Sequence, residues 1–298
     1  MSWEHQTGAE EKNRVERGTL YLVATPIGNL ADLSERAKKI LAEVDFIAAE
    51  DTRNTAKLLS CFGIRRELIS YFEHNKRERG EIILSRVALG ESCALVTDAG
   101  MPAISDPGED LVRLAAERGI RVLIVPGCCA AVSALALSAL ATGRFAFEGF
   151  LSTNKRERRE RLTEIQHEKR TLIFYEAPHK LRGTLGDLAE YFGADRAISL
   201  CRELTKLNEE TMRTTINGAI KYYDEHEPRG EYVLVLMGEQ EYSDLHGISR
   251  VSALAALSPE EHVAHFAAQG LSRMDAIKAA AKERGISKSE LYALLCKE

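Results

Sequence analysis

Cysteine is scarce in this chain, and its spacing excludes most of the sites that cysteine builds. The 298 residues include six cysteines, and none forms a CxxC pair or another spacing typical of metal ligands. Cys128 and Cys129 stand side by side in an apolar setting, which is typical of small buried residues in a reducing cytosol. The sequence therefore predicts no metal site, and it favours a cytoplasmic location.

The chain also lacks an excess of positive charge. Its formal net charge is −5, so no overall positive field points to a nucleic-acid partner. This weighs only weakly against such a partner, because local basic patches can bind nucleic acid.

No segment has the character of a signal peptide or a membrane span. Residues 1–18 are polar and of mixed charge, and we expect them to form a disordered leader. Residues 122–143 carry no charge and are long enough to cross a bilayer, but Pro126-Gly127 interrupts them. A strand, a tight turn and a helix of small residues explain this stretch better. We expect a soluble protein with no membrane partner.

What the sequence does contain is a regular alternation of short apolar runs and helical patterns. The predicted strands of the first part are 20–24, 46–49, 68–71, 94–96 and 122–125. Successive βα units predict a mainly parallel, doubly wound sheet over 19–142. Neither GxGxxG nor GxxxxGK[ST] follows any of these strands, so a Rossmann dinucleotide site and a P-loop are both unexpected.

The stretch after the fourth strand, 98–108, is the most informative turn of the chain. Two prolines and two glycines in nine residues fix some backbone dihedrals and free others, and Asp98 and Asp106 lie beside them. In open α/β sheets, ligands bind beyond the carboxyl ends of the strands. We therefore expect 98–108 to be a binding loop, supported by the turns at 25–29 and 126–130.

The chain changes character after residue 142. Strands at 172–175, 197–201, 211–216 and 232–237 predict a second α/β domain over 143–239. The run 155–161 holds five basic and two acidic residues, and it suits either a solvated, ion-paired helix face or an RNA contact. A linker is expected at 240–257, followed by a helical, helix-turn-helix-like module at 258–298. This module fits phosphate contacts, or dimerisation and packing, equally well, so a homodimer is left open.

Eight short motifs, taken together and in this order, resemble one known family. They are LYLVATPIGNL (20–30), EDTR (50–53), DAGMP (98–102), ISDPG (104–108), FEGF (147–150), FYEAPH (174–179), RELTK (202–206) and RGE (229–231). The chain is similar to the bacterial small-subunit ribosomal RNA methyltransferases that methylate the ribose 2′-oxygen of a cytidine in 16S rRNA. That family belongs to the tetrapyrrole methylase superfamily, whose members use S-adenosylmethionine.

The resemblance implies a two-domain α/β fold with a mainly parallel N-terminal sheet, a mixed second sheet and a small all-α C-terminal module. It also implies S-adenosylmethionine as cofactor and 16S rRNA within the small ribosomal subunit, at the decoding centre, as partner. The implied cofactor-binding residues are Pro26, Ile27, Gly28, Asp98, Ala99, Gly100, Met101, Pro102, Cys129, Ala130, Phe174 and Tyr175.

Chemistry at the ribose suggests further candidates. A ribose hydroxyl is a poor nucleophile at neutral pH, so a general base or hydrogen-bond acceptor should help the transfer. The catalytic candidates at strand and loop ends are Glu50, Asp51, Arg53, His74, Asn75, Asp106 and Glu203. The RNA-binding candidates are Lys155, Arg156, Arg158, Arg159, Arg161, Lys206 and Lys288. For each, an ion pair or a cap that shapes the cleft is an equally good interpretation.

Two other functions fit the same sequence. A methylase of a porphyrinoid or another small molecule would share the fold and the cofactor, but it would not need the basic run or the helical tail. A non-enzymatic ribosome-assembly factor would not need intact cofactor turns.

Overall fold

The computed structural model describes residues 14–246, 257–284 and 286–295, and they divide into one unit that ends at Met237 and one that starts at Gly238. The first unit begins with a sheet whose five strands run parallel in the order β3-β2-β4-β1-β5. Its strands are β1 (Thr19–Val23), β2 (Phe46–Ala49), β3 (Glu67–Ser70), β4 (Cys93–Val96) and β5 (Arg121–Val125). The helices between and after them are α1 (Glu35–Glu43), α2 (Thr52–Cys61), α3 (Lys76–Ala88), α4 (Gly108–Glu117) and α5 (Ala130–Leu137).

This sheet has a hydrophobic core on each face. Successive side chains of a strand point to opposite sides, so each strand contributes to both cores. In β1, Leu20 and Leu22 belong to the core on one face, while Tyr21 and Val23 belong to the core on the other. The expected mainly parallel sheet is confirmed, and so is the replacement of a membrane span by β5, a Pro-Gly turn and α5. No helix in the described ranges has the length and apolarity that crossing a membrane requires.

The second sheet is mixed, as expected, with strand order β6-β7-β10-β8-β9. Its strands are β6 (Phe145–Phe150), β7 (Thr171–Glu176), β8 (Ala197–Arg202), β9 (Glu210–Thr215) and β10 (Tyr232–Leu236). The helices are α6 (Lys155–Ile165), α7 (Leu181–Phe192) and α8 (Ile216–Glu225). Only β6 and β7 are parallel, and the other neighbours are antiparallel.

Helix α5 joins the two sheets. Ala131, Ala134 and Leu135 pack against Ile173 of β7 and Val233 of β10, on one face of the second sheet. The opposite face of that sheet carries its own core, which includes Phe174. The carboxyl ends of the first sheet's strands thus meet one face of the second sheet.

Two segments differ from the expected outline. Of the predicted leader, 1–13 lie outside the described residues, but the Glu16 N–H donates to the Tyr21 hydroxyl at 2.8 Å and Arg17 Nε donates to the Gly90 carbonyl at 3.2 Å. The predicted linker at 240–257 begins instead within a helix, α9 (Glu239–Leu245), because Glu239 and Glu241 favour a helix N-terminus. The positions 247–256 lie outside the described residues.

The C-terminal unit continues with α10 (Pro259–Ala268), α11 (Arg273–Glu283) and α12 (Lys288–Leu295). Ser258 and Glu261 form a capping box at the start of α10, with Pro259 in its first turn. A small core that includes Val263, Ile277 and Leu291 holds the three helices together.

Candidate active site

A cavity of about 620 Å³ lies between the ends of the first sheet's strands and the second sheet. Its walls come from motifs that are far apart in the sequence. From the first sheet and α5 they are Ile27, Glu50, Thr97, Asp98, Ala99, Gly100, Met101, Ile104, Ser105, Asp106, Cys129 and Ala130. From the second sheet they are Phe150, Tyr175, Glu176, Ala177, Pro178, His179, Cys201, Glu203, Leu204, Lys206, Glu231, Tyr232 and Val233.

Gly100 lets the loop after β4 approach the turn after β1. Its N–H and C=O are both paired with the backbone of Thr25, at 3.1 and 2.9 Å. Its φ is +87°, in the region that side chains disfavour, and a Cβ would lie 3.3 Å from Ile27 Cγ2. Glycine is therefore required where these two turns form the cavity wall.

Asp106 shapes the rest of that loop from inside. Its Oδ1 accepts hydrogen bonds from the Ala103 N–H at 3.0 Å and the Gly108 N–H at 2.7 Å. Its Oδ2 is buried and has no hydrogen-bond partner among the described residues. Burial raises the pKa of this carboxyl above its ordinary value. In the same loop Ala103 and Ser105 have φ of +66° and +63°, a strained arrangement typical of functional loops.

Glu50 presents one carboxylate oxygen to the cavity. Its Oε2 accepts a hydrogen bond from the Thr97 hydroxyl at 2.7 Å and a longer one from the Asp98 N–H at 3.5 Å. Its Oε1 makes no hydrogen bond within the described parts of the chain. The side chain is thus held by one oxygen to the residues that follow β4, and the other oxygen stays available to a ligand.

Asp98 joins the loop after β4 to the start of α2. Its Oδ1 accepts from the Asp51 N–H at 3.3 Å, and its Oδ2 accepts from the Asn54 amide at 3.0 Å. The sequence left open whether Asp98 binds a cationic ligand or stabilises the adjacent turn. In the structure both oxygens are bonded to residues at the start of α2, and Asp98 also lines the larger cavity.

On the opposite wall, Lys206 lies between two carboxylates. Its Nζ donates to Glu203 Oε1 and to Glu231 Oε2, both at 2.8 Å. The hydrogen bond from Lys206 holds the pKa of Glu203 below its usual value. Glu203 has φ +52°, and Gly230 leaves room for its side chain, since a Cβ there would lie 2.5 Å from Glu203 Cγ.

Tyr175 lies where β7 meets α5. Its hydroxyl accepts a hydrogen bond from the Ala131 N–H at 3.2 Å, at the start of α5. The ring makes edge contacts with Phe147 and Phe150, at centroid distances of 5.0 and 5.5 Å. Burial raises the pKa of Tyr175 to about 12, so its hydroxyl stays neutral at physiological pH. This cluster gives the cavity an aromatic wall.

A second, smaller cavity of about 180 Å³ adjoins the first, and the two share Thr97 and Asp98. Its other lining residues are Pro26, Gly28, Leu30, Asn54, Thr55 and Leu58. Gly28 also contacts the 202–206 loop, since a Cβ there would lie 2.4 Å from Lys206 Cγ.

Four catalytic candidates fall outside the larger cavity. Asp51 caps α2 and pairs with the exposed Arg53, whose hydrogen bond lowers the Asp51 pKa to about 2. Asn75 uses its amide to bind the backbone of Phe72 and Ser70, while the exposed His74 contacts the Phe72 ring edge-on. The structure thus gives Asp51, Arg53 and Asn75 local partners, and only Glu50, Asp106 and Glu203 of the catalytic set line the cavity.

The cofactor candidates are distributed in the same uneven way. Pro26 and Gly28 line the smaller cavity, and the buried Pro102 lines neither. Phe174 points into the core on the other face of the second sheet, because it alternates with Tyr175 along β7. The remaining eight candidates line the larger cavity.

Sequence reasoning missed several cavity residues of the second sheet, including His179, Glu231 and Tyr232. His179 and Glu231 belong to the recognised motifs FYEAPH and RGE. Their position within these motifs was the signal that could have identified them as site residues. Tyr232 follows RGE directly and enters the site because β10 runs antiparallel to β7.

The RNA-binding candidates of α6 fall into two groups. Arg156 has an 86% exposed side chain that pairs with Glu160 of the same helix, and Lys155 and Arg159 are exposed as well. Arg158 instead has a 16% exposed side chain paired with Asp187, and Arg161 is paired with Glu148 and Glu164. Lys288, in the C-terminal unit, is exposed at the start of α12.

Comparison with known proteins places these motifs in context. The family model described as Tetrapyrrole (Corrin/Porphyrin) Methylases matches residues 19–219. A ribosomal RNA small subunit methyltransferase I from Halalkalibacterium halodurans is 46% identical, over 98% of this chain and 100% of that protein. A protein of the same name from Synechocystis sp. is 44% identical, over 93% of this chain and 97% of its own length.

Solved structures show the same fold at low sequence identity. A uroporphyrin-III C-methyltransferase from Thermus thermophilus, complexed with S-adenosyl homocysteine, has a TM-score of 0.53 and 16% identity, covering 74% of this chain and 98% of that chain. Diphthine synthase has a TM-score of 0.57 and 13% identity, covering 77% of this chain and 95% of its own. At these identities the comparison extends to the fold alone.

Proposed function

The chain belongs to the ribosomal RNA small subunit methyltransferase I family of the tetrapyrrole methylases, and from this membership we propose that it methylates the ribose 2′-oxygen of a cytidine in 16S rRNA, with S-adenosylmethionine as methyl donor. The observation that carries the proposal is the convergence of distant motifs on one cavity. Glu50, Asp98, His179, Glu203 and Glu231 come from five different motifs and all line it.

The larger cavity fits the cofactor in size and charge. Its volume of about 620 Å³ lies within the range of sites for small molecules, and Ile27, Met101 and Tyr175 give it apolar and aromatic walls. The lining includes more carboxylates than cations, as expected around a ligand that carries an ammonium and a sulfonium. The carboxylates are Glu50, Asp98, Asp106, Glu176, Glu203 and Glu231, against the single lysine Lys206.

When bound, S-adenosylmethionine supplies an electrophilic methyl group on its sulfonium. The protein then has to align the ribose oxygen with that methyl group and exclude water. The Gly100 backbone, the Asp106-shaped loop and the Tyr175 wall are held in place by bonds within the protein, so they define the position of a ligand before it binds.

Glu50 is the acceptor best placed to assist the ribose hydroxyl. Three candidate carboxylates line the cavity. Glu203 is paired with Lys206, and Oδ2 of Asp106 is buried. Glu50 alone combines a fixed oxygen, held by Thr97, with one that makes no hydrogen bond in the described structure. We assign it the hydrogen-bond acceptor role, with proton removal from the hydroxyl as its contribution.

An RNA substrate within the small subunit is supported over a small free molecule by the exposed basic residues of α6. A free porphyrinoid would not need Lys155, Arg156 and Arg159 on the surface. With this substrate, we propose a cytoplasmic location. A non-enzymatic assembly role would leave unexplained why the loop after β4, with Ala103 and Ser105 at positive φ, is bonded to the turn after β1 at the cavity wall.

The experiment is methylation of isolated small subunits prepared from cells that lack the protein, with labelled S-adenosylmethionine and mapping of ribose methylation by resistance to alkaline cleavage. One new 2′-O-methyl group should appear on 16S rRNA. Glu50→Gln should bind the cofactor like the unaltered protein, but it should lose at least tenfold in kcat. Label transferred to a porphyrinoid, with an unchanged rRNA map, would reject the proposal.

A further inference from the structure

The smaller cavity, about 180 Å³ in volume, has a wall chemistry unlike that of its larger neighbour. Leu30 and Leu58 give it apolar sides, and the exposed Asn54 and Asp98 give it polar atoms. A flat, partly apolar ring with hydrogen-bonding groups on its edge matches this combination. Enzymes that act on a nucleotide commonly take its base into such a pocket and read its edge there.

Asn54 has a defined orientation in this wall. Its amide nitrogen donates to Asp98 Oδ2 at 3.0 Å, and only the NH₂ end of an amide can donate to a carboxylate. The other end, the carbonyl Oδ1, makes no hydrogen bond among the residues that the structure describes. Asp98 therefore leaves Asn54 with a fixed, unused acceptor at the smaller cavity.

A fixed acceptor distinguishes the two RNA pyrimidines. Cytosine carries an exocyclic N4 amino group, which donates, whereas uracil carries an O4 oxygen at the same position, which only accepts. Asn54 Oδ1 would gain a hydrogen bond from cytosine and meet a like partial charge from uracil.

The position of this cavity suits a nucleotide whose ribose reacts next door. Thr97 and Asp98 line both cavities, and the Thr97 hydroxyl is bonded to Glu50. A base in the smaller cavity would thus place its sugar beside the shared wall, where Glu50 lies.

We propose that the smaller cavity holds the base of the target nucleotide and that Asn54 Oδ1 selects cytosine by accepting from its N4 amino group. This inference rests on the proposed function, because it requires an RNA nucleotide as substrate. It assigns a base-binding site and a specificity residue to the 25–30 turn and to α2.

The test compares small subunits that carry either cytidine or uridine at the nucleotide mapped as the methylation site. The unaltered enzyme should methylate the cytidine form about tenfold faster in kcat/KM. Asn54→Ala should bring the cytidine rate down to the uridine rate, with a cofactor Kd within twofold of the original. Asn217→Ala, on α8 and lining neither cavity, is the matched control and should keep the discrimination.

A second variant tests the cavity itself. Leu30→Trp, at a 47% exposed wall position, should raise the KM for subunits at least tenfold while leaving cofactor binding intact. Rapid methylation by Leu30→Trp, or an unchanged cytidine-to-uridine ratio in Asn54→Ala, would overturn the base pocket while the proposed function stands. Absence of any rRNA methylation by the unaltered enzyme would remove both.

Discussion

Arg158 Nε donates to Asp187 Oδ2 at 2.5 Å, so a residue of the most basic stretch of the chain is bound inside the second sheet's helical layer. A second guanidinium nitrogen donates to the Thr184 hydroxyl at 2.8 Å, and that hydroxyl donates in turn to Glu176. Glu176 also accepts from the Ala177 N–H at 2.9 Å, next to the cavity wall. The chain of bonds therefore connects α6 to the turn that carries Ala177 and His179.

The first prediction concerns this network. Arg158→Gln should lower the free energy of unfolding by about 1.5 kcal/mol, because it removes a partly buried ion pair with Asp187 and a hydrogen bond to the buried Thr184 hydroxyl. Arg159→Gln, one residue away and exposed, should change it by less than about 0.5 kcal/mol. Urea unfolding of the full chain measures both. Equal stabilities for the two variants would show that the Arg158 bonds contribute nothing.

Gly100 provides the second prediction. Gly100→Val should raise the Kd for S-adenosylmethionine at least tenfold, because the backbone at φ +87° and the Ile27 contact force the loop to move. Gly63→Val is the matched control, since φ there is +68°, nothing lies within 4 Å of its Cβ position, and it lines neither site cavity. Calorimetric titration of both folded variants with S-adenosylmethionine measures the two Kd values. Cofactor affinity retained in Gly100→Val would remove this loop from the binding site.

Asp106 gives a third prediction, with a sign that depends on pH. Burial raises its folded pKa, so its stabilising contribution is complete below the unfolded value of about 4 and is lost as pH rises through the folded value. Asp106→Asn keeps an acceptor for Ala103 and Gly108 but carries no charge, so its stability relative to the original should improve from pH 4 to pH 7.

Asp106→Ala is the control, because it removes the acceptor for two backbone N–H groups. It should cost about 2 kcal/mol at pH 7 in urea unfolding. Asp106→Asn should also keep most of the methylation activity, because Asp106 Oδ2 is buried and we assign it no part in the reaction. If Asp106→Asn were as inactive as Glu50→Gln, Asp106 would take a direct part in the reaction.

The sequence was sufficient for the first sheet and for the loop at 98–108. Parallel βα units place strand ends at one edge, so a Pro- and Gly-rich turn with aspartates after β4 could be assigned to the site without coordinates. The family resemblance was also confirmed. Its motifs are contiguous stretches at strand ends, so the sequence alone was enough to recognise them.

The second sheet was harder to interpret at the level of side chains. Tyr232 opens β10 yet lies beside Glu176 at the end of β7, because the two strands are antiparallel. Strand order is decided by long-range pairing, which no local pattern encodes. The sequence also does not show which local hydrogen bonds form. Asp51 uses its side chain to cap α2, and Asn75 uses its amide in a turn.

The last prediction concerns how the RNA is held. On α6, Lys155, Arg156 and Arg159 are exposed, and Arg156 pairs only with Glu160 of the same helix among the described residues, whereas Arg158 and Arg161 pair with Asp187 and Glu148 of other elements. Phosphate contacts release counterions, so each lost contact should flatten the dependence of log affinity on log salt by roughly one unit. Replacing Arg156 and Arg159 with Gln should therefore weaken subunit binding and reduce the slope by roughly two.

Lys288→Gln tests the C-terminal unit in the same assay, and a slope reduced by roughly one would assign α12 to the RNA rather than to dimerisation. Arg79→Gln, exposed on α3, is the control for a general loss of charge and should leave the slope unchanged. Binding of isolated small subunits across a salt series, with cofactor affinity measured alongside, gives all the slopes. If the α6 double variant has the slope of the unaltered enzyme, these residues form only a solvated helix face and the RNA contacts a different surface.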